Sequence, residues 1–245
     1  MSWFRTYTPR PQAMLRLVCF PHAGGAASAY REWATLLPES IELVAVQYPG
    51  RQDRFHDPLL TDFTTLVDGI VAELPRLQGP TAYFGHSMGA TVAFEAARQM
   101  DALGNGPRRL FASARIAPAV ATRLGISFDT EDEVMAYIRS LGGAGLESLE
   151  DPDLRELALP MLQADFRLME SYDYKAGTRL SCPITVLAGS GDHTFGSADA
   201  EHWAQHTNAG IVTETLPGGH FYTEEVPGLV TDLIARTFTT EGAHP

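Results

Sequence analysis

Cysteine is scarce in this chain. Only Cys19 and Cys182 occur in 245 residues, in no C-x-x-C pair and at no metal-ligand spacing. Cys19 lies inside an apolar, strand-like run and Cys182 just before another, so both are expected as buried thiols in a reducing cytoplasm. Positive charge is also short: 18 Lys and Arg stand against 30 Asp and Glu, a formal net charge of −12. That balance argues against nucleic acid as a partner, because a phosphate backbone needs a basic face. No apolar run approaches the roughly 20 residues of a membrane helix. Met1 to Met14 carries Trp3, Arg5, Pro9, Arg10 and Pro11 with no apolar centre, so it does not read as a secretion signal. Internal repeats and low-complexity tracts are absent, and the glycine-rich pieces are too short for interdomain linkers. What remains is ordinary globular composition, 44% hydrophobic and 20% charged, for one domain or one domain with an insertion.

The charge is uneven. Residues 128–176 hold twelve Asp and Glu against four Lys and Arg, a net −8 that leaves −4 for the rest, and so form a distinct unit. Outside that segment strands and helices alternate. Strands are expected at Leu15 to Phe20, Ile41 to Val46, Pro80 to Phe84, Arg109 to Ile116, Pro183 to Ala188 and Ile211 to Leu216. Helices are expected at Ser28 to Leu37, Leu60 to Leu77, Met88 to Met100, Ser197 to His206 and Glu225 to Phe238. Inside the acidic segment only helices are expected, Glu131 to Leu141 and Asp153 to Tyr172, around a flexible Gly142 to Gly145. Such alternation implies an α/β fold with a mostly parallel sheet covered on both faces. The helical insertion would lie over the carboxyl ends of the strands, where α/β sheets place their sites.

Gly85-His86-Ser87-Met88-Gly89 fits G-x-S-x-G with a strand before it and a helix after it, the context of a nucleophile elbow. A serine hydroxyl needs a base, and the base needs an anion to fix its tautomer. In this strand-helix context the expected order is Ser, Asp or Glu, then His. Among eight histidines, His22, His56 and His86 precede the serine, and His244 sits in the tail. His193 would have to double back on its neighbour, and His202 and His206 fall in a helix. His220 follows the last strand on a Gly218-Gly219 loop and is the expected base. For the acid, Ala117-Pro118-Ala119 offers no carboxylate, whereas Gly189-Ser190-Gly191-Asp192 places Asp192 on a glycine-freed turn. The oxyanion hole is expected from the backbone N–H groups of Met88 and of Ala23, the latter in the loop after the first long strand. His22 is expected to pack that loop rather than to act as a second base.

Phe20 to Gly25, Tyr48-Pro49-Gly50-Arg51, Gly85 to Gly89, Pro160 to Phe166 and Gly218 to Phe221 together resemble the type II thioesterases of polyketide and nonribosomal peptide pathways. The resemblance spans nearly the whole chain in the family's order. It implies an α/β-hydrolase core (1–127 and 177–245) with a mobile helical lid (128–176). It implies a cytoplasmic editing enzyme that removes unwanted acyl or aminoacyl groups from the phosphopantetheine arm of acyl or peptidyl carrier proteins. No cofactor of its own is expected, since the phosphopantetheine belongs to the carrier. With no carrier domain or long N-terminal extension in the sequence, a stand-alone enzyme is expected over a module of a synthase. The competing readings are a general esterase, a chain-releasing thioesterase, or a binding protein that kept the fold without turnover. Carrier proteins are usually acidic, so docking is expected on Arg108, Arg109, Arg115 and Arg123 rather than on the acidic segment.

Overall fold

A computed structural model describes residues 2–121, 128–142 and 149–241. The strands are β1 (Phe4–Arg5), β2 (Leu15–Phe20), β3 (Ile41–Val46), β4 (Thr81–His86), β5 (Leu110–Ser113), β6 (Ile184–Gly189) and β7 (Ile211–Leu216). The helices are α1 (Trp33–Leu36), α2 (Phe63–Val71), α3 (Met88–Ala102), α4 (Glu131–Leu141), α5 (Pro152–Ser171), α6 (Ser197–Ala200), α7 (Tyr222–Glu225) and α8 (Pro227–Glu241). The seven strands form one sheet in the order β1-β3-β2-β4-β5-β6-β7, parallel except for β1 against β3. This is the α/β-hydrolase arrangement. Both faces of the central strands are dry, which is why β2 and β3 are apolar but for Arg16 and Glu42, paired with each other at 3.0 Å. Val18, Phe20 and Val46 pack with α2 and α3 on one face, while Leu17, Cys19 and Leu43 share the other with Val230 and Ile234 of α8.

Several helices are shorter than their apolar periodicity suggests, each for a local reason. The helix expected over Ser28 to Leu37 is a 3-10 turn, Ala27–Tyr30, followed by the single turn α1. Leu37 is already extended ahead of Pro38. α2 starts at Phe63 because Asp62 caps it, accepting from Thr65 N at 2.7 Å. It ends at Val71, and Pro75, with no N–H to donate, opens a 3-10 turn instead. Ser197 to His206 divides into α6 and a 3-10 stretch, and Val226 separates α7 from α8, which opens on Pro227. β5 stops at Ser113 because Ala114 turns to a positive φ of 49°. The edge strand β1, two residues long, carries no periodicity to read.

The turn between β4 and α3 positions the site. Ser87 sits at φ 53°, ψ −117°, a strained conformation for a residue with a side chain. Strand and helix close so tightly that a Cβ on Gly85 would lie 2.1 Å from Gly89 O, and one on Gly89 2.0 Å from Phe20 O. Both obstacles are backbone. Gly89→Ala is therefore expected to cost more than about 4 kcal/mol, seen as loss of the cooperative thermal transition. A melting temperature within a few degrees of the parent would contradict this packing.

Candidate active site

The carboxyl ends of β4, β6 and β7 bring the three predicted residues to one rim. Ser87 follows β4, Asp192 follows β6 on a turn closed by Asp192 N to Gly189 O at 3.1 Å, and His220 follows β7. His220 Nδ1 lies 2.8 Å from Asp192 Oδ2, and both side chains are shielded from solvent, at 5% and 0% exposure. The other carboxylate oxygen, Oδ1, accepts from Thr194 N at 2.8 Å and from Thr194 Oγ1 at 2.7 Å. With the carboxylate accepting at both oxygens, Nδ1 of His220 carries the proton and Nε2 is left with its lone pair. That Nε2 is buried and has no hydrogen-bond partner among the described residues. The serine–histidine hydrogen bond is thus open in this conformer, as is common before substrate closes the geometry.

Two predicted N–H donors flank the serine. Met88 begins α3, so its N–H has no intrahelical acceptor. Ala23 lies in the loop after β2, whose glycines let main-chain N–H groups face inward. This loop is held from outside. Gly24 N donates to Asp165 Oδ2 of α5 at 2.7 Å, and Asp165 takes a two-pronged ion pair from Arg51 at 2.9 and 2.7 Å. Arg51 also donates to Gly25 O at 3.0 Å, and Tyr48 Oη to Pro21 O at 3.1 Å.

With this geometry in place, the resemblance to known proteins becomes decisive. Residues 15–238 match the thioesterase domain family. The chain is 38% identical to the solved type II thioesterase BorB from the borrelidin biosynthetic cluster, covering 96% of each chain with a TM-score of 0.87. The chain belongs to the thioesterase family, among the type II thioesterases. It is also 36% identical over 245 residues to thioesterase PikA5 of Streptomyces venezuelae, covering 98% of this chain and 87% of that one. YbtT, a type II thioesterase from the yersiniabactin pathway, superposes with a TM-score of 0.86 at 30% identity, covering 98% and 99%.

The thioesterase has a cavity of about 250 Å³ with Ser87, Met88 and Ala23 in its floor. Its roof comes from α4 and α5, through Tyr137, Ile138, Leu162 and Phe166, with Phe128 stacked on Phe166 at 4.4 Å between ring centroids. The roof has its own small apolar cluster, so the helices of the acidic segment pack as a unit. Gly142, at φ 70°, ends α4, while Gly143 to Gly145 lie outside the described residues.

The arginine docking face does not assemble. Arg109 is buried and donates to Thr185 Oγ1 at 2.9 Å. Arg115 lines the cavity, its Nε 3.2 Å from Thr91 Oγ1 in the first turns of α3. Arg108 is exposed but precedes β5, at the end of the sheet opposite the serine, and Arg123 is outside the described residues. These positions share a strand and its following loop in sequence, but the parallel sheet sends the two ends of β5 to opposite sides. Arg115→Glu is accordingly expected to raise KM equally, within about threefold, for an acyl-carrier substrate and its N-acetylcysteamine mimic. A carrier-specific loss would restore the docking face.

Other histidines are buried or half-buried, two of them near His220. His86 lies between His22 and His220, ring centroids 5.9 and 5.3 Å away, and its Nδ1 meets Ser113 Oγ at 2.8 Å. Burial, then the charges of His220 and His22, hold His86 well below the usual imidazole range. Burial, then His220 and Arg51, push His22 down to about 4, so His22 is no second base at neutral pH but a neutral packing ring. His206, buried beneath Phe94 and Trp203, is also pushed down to about 4, by burial and then by Arg98 and Arg179. Burial would raise Asp192, but the hydrogen bonds from His220 and Thr194 outweigh it and hold the carboxyl below its usual range.

These shifts have one sign for stability. Imidazoles lowered in the folded state bind protons more readily when unfolded, so the unfolded chain gains protons as pH falls from about 6.5 to about 4. The stabilisation from Asp192 is present above its ordinary carboxylate range and is lost only as pH falls through its lowered folded value. The melting temperature should therefore drop steadily between pH 6.5 and 4, and His206→Gln should flatten that slope. A flat profile in the parent protein would contradict the assignment of neutral buried imidazoles.

Proposed function

We propose that this thioesterase is a serine hydrolase that clears acyl and aminoacyl groups from the phosphopantetheine arm of acyl or peptidyl carrier proteins. Its roof, formed by α4 and α5, acts as the lid. The observation that carries the reading is the His220–Asp192 pair, which leaves a buried, unpartnered Nε2 beside the nucleophile elbow. Relatives named for borrelidin, yersiniabactin and colibactin pathways supply the biosynthetic context. No helix among the described residues is long and apolar enough to cross a membrane.

In the first half-reaction His220 Nε2 takes the proton of Ser87 as its oxygen attacks the thioester carbonyl. The N–H groups of Ala23 and Met88 receive the oxyanion. The pantetheine sulfur leaves and takes the proton from His220, a small demand because the thiol pKa is about 8.5, and the neutral imidazole is restored. Water, activated by the same imidazole, then releases the acid and restores Ser87. No step calls for a cofactor held by the enzyme. Turnover of acyl-carrier, acyl-CoA and p-nitrophenyl ester with a common acyl group tests the reading. The highest kcat/KM is expected for acyl-carrier. A p-nitrophenyl ester hydrolysed more efficiently than the carrier-bound acyl group would replace it with a general esterase.

A further inference from the structure

The loop that carries Ala23 is locked by a side chain from the roof. We propose that Asp165 of α5, held by Arg51, is the positioning residue of the oxyanion hole, so that the hole is complete only while α5 is seated. The inference rests on the serine-hydrolase reading above. Gly24 N donates to Asp165 Oδ2 at 2.7 Å, and a peptide unit is planar, so this bond restrains the unit joining Ala23 to Gly24, the one following the unit that carries the Ala23 N–H. A second bond, Gly25 N to His22 O at 2.9 Å, restrains the His22–Ala23 unit, to which the Ala23 N–H belongs. The peptide units on both sides of the Ala23 Cα are thus restrained, one of them by Asp165.

The anchor itself is well held. Arg51 and Asp165 are each 4% exposed and meet through both guanidinium ends, and Arg51 adds a bond to Gly25 O in the same loop. The Arg51 guanidinium also lies over the Tyr48 ring at 5.2 Å, and Tyr48 Oη reaches Pro21 O. Leu162, one turn before Asp165 on α5, packs so closely on Gly24 that a Cβ there would fall 2.5 Å from its Cδ2. Gly24 itself holds φ 77°, a conformation open to glycine and costly for other residues. A buried ion pair adds little to net stability compared with apolar residues of similar volume. What an apolar pair cannot do is accept the Gly24 N–H.

That difference provides the test. In Arg51→Met/Asp165→Leu the ion pair gives way to apolar side chains, and a folded protein melting several degrees below the parent is expected, because the Gly24 N–H and Gly25 O lose their partners. The expected kinetic result is kcat lower by about tenfold or more with KM for acyl-N-acetylcysteamine within about threefold, since a misplaced donor acts on the transition state. Affinity for a trifluoromethyl ketone analogue, which forms a tetrahedral adduct, should fall by the same factor as kcat. Affinity for the matching unreactive thioether should not change. Should the double variant fail to fold, Asp165→Asn, which keeps the volume and weakens the acceptor, decides by the same two affinities. Parent-like kcat and parent-like ketone affinity in either folded variant would overturn the proposal. Ser87→Ala assayed alongside separates the two ideas: activity surviving there would sink the serine reading, not the anchor alone.

Discussion

Asp192→Asn is expected to lower kcat by about 10⁴-fold while the protein stays folded. The reason lies in Thr194. Its N–H and O–H both point at Asp192 Oδ1, so an asparagine would turn its amide oxygen to them and its NH₂ to His220. Facing a donor, His220 would place its lone pair on Nδ1 and its proton on Nε2, the one atom that must accept from Ser87. The effect is a change of tautomer at constant geometry. Initial rates on acyl-N-acetylcysteamine, with melting temperature as the control, measure it. A loss smaller than about tenfold would mean that Asp192 is a turn-capping residue and no more.

Ser87→Ala and His220→Ala are each expected to lower kcat by about 10⁴- to 10⁶-fold, and the double variant scarcely further. Nucleophile and base act on one proton, so removing either abolishes the step that the other serves. What rate remains would come from the Ala23 and Met88 donors and from substrate binding in the cavity. Multiplicative losses in the double variant would mean the two residues act independently, and the proposed mechanism would fail.

How far the sequence discloses this site depends on whether each feature is local. The elbow is local: Gly85, Ser87 and Gly89 are needed because β4 and α3 pass within van der Waals contact of each other and of β2. Asp192 and His220 could be placed because a parallel sheet delivers every strand's carboxyl end to one rim, so the first suitable residue past each strand is the candidate. The features that escaped notice depend on contacts between distant segments. Asp165 and Arg51 both fall in recognisable motifs, yet nothing in either motif says that residues 114 positions apart share two hydrogen bonds. Thr194 is two residues from Asp192, but its hydroxyl competes with many turn threonines for attention. The arginine face failed for the converse reason: Arg108, Arg109 and Arg115 are close in sequence, and β5 carries them to the far end of the sheet, the core and the cavity.

The roof is joined to the core at the carboxyl end of α5. Phe63 N donates to Ser171 Oγ at 2.9 Å, Phe63 and Tyr172 rings meet at 4.4 Å, and Tyr172 Oη reaches Glu95 at 2.7 Å. With Asp165 also anchored, the carboxyl half of α5 is tied to the floor of the cavity.

The most direct measurement is the site of acylation. An acyl-carrier or acyl-N-acetylcysteamine substrate, quenched within one turnover and digested, should leave the acyl group on the peptide containing Ser87. In Ser87→Ala no peptide should carry it. An acyl group found on another residue, or parent-level hydrolysis by Ser87→Ala, would contradict the account at its centre.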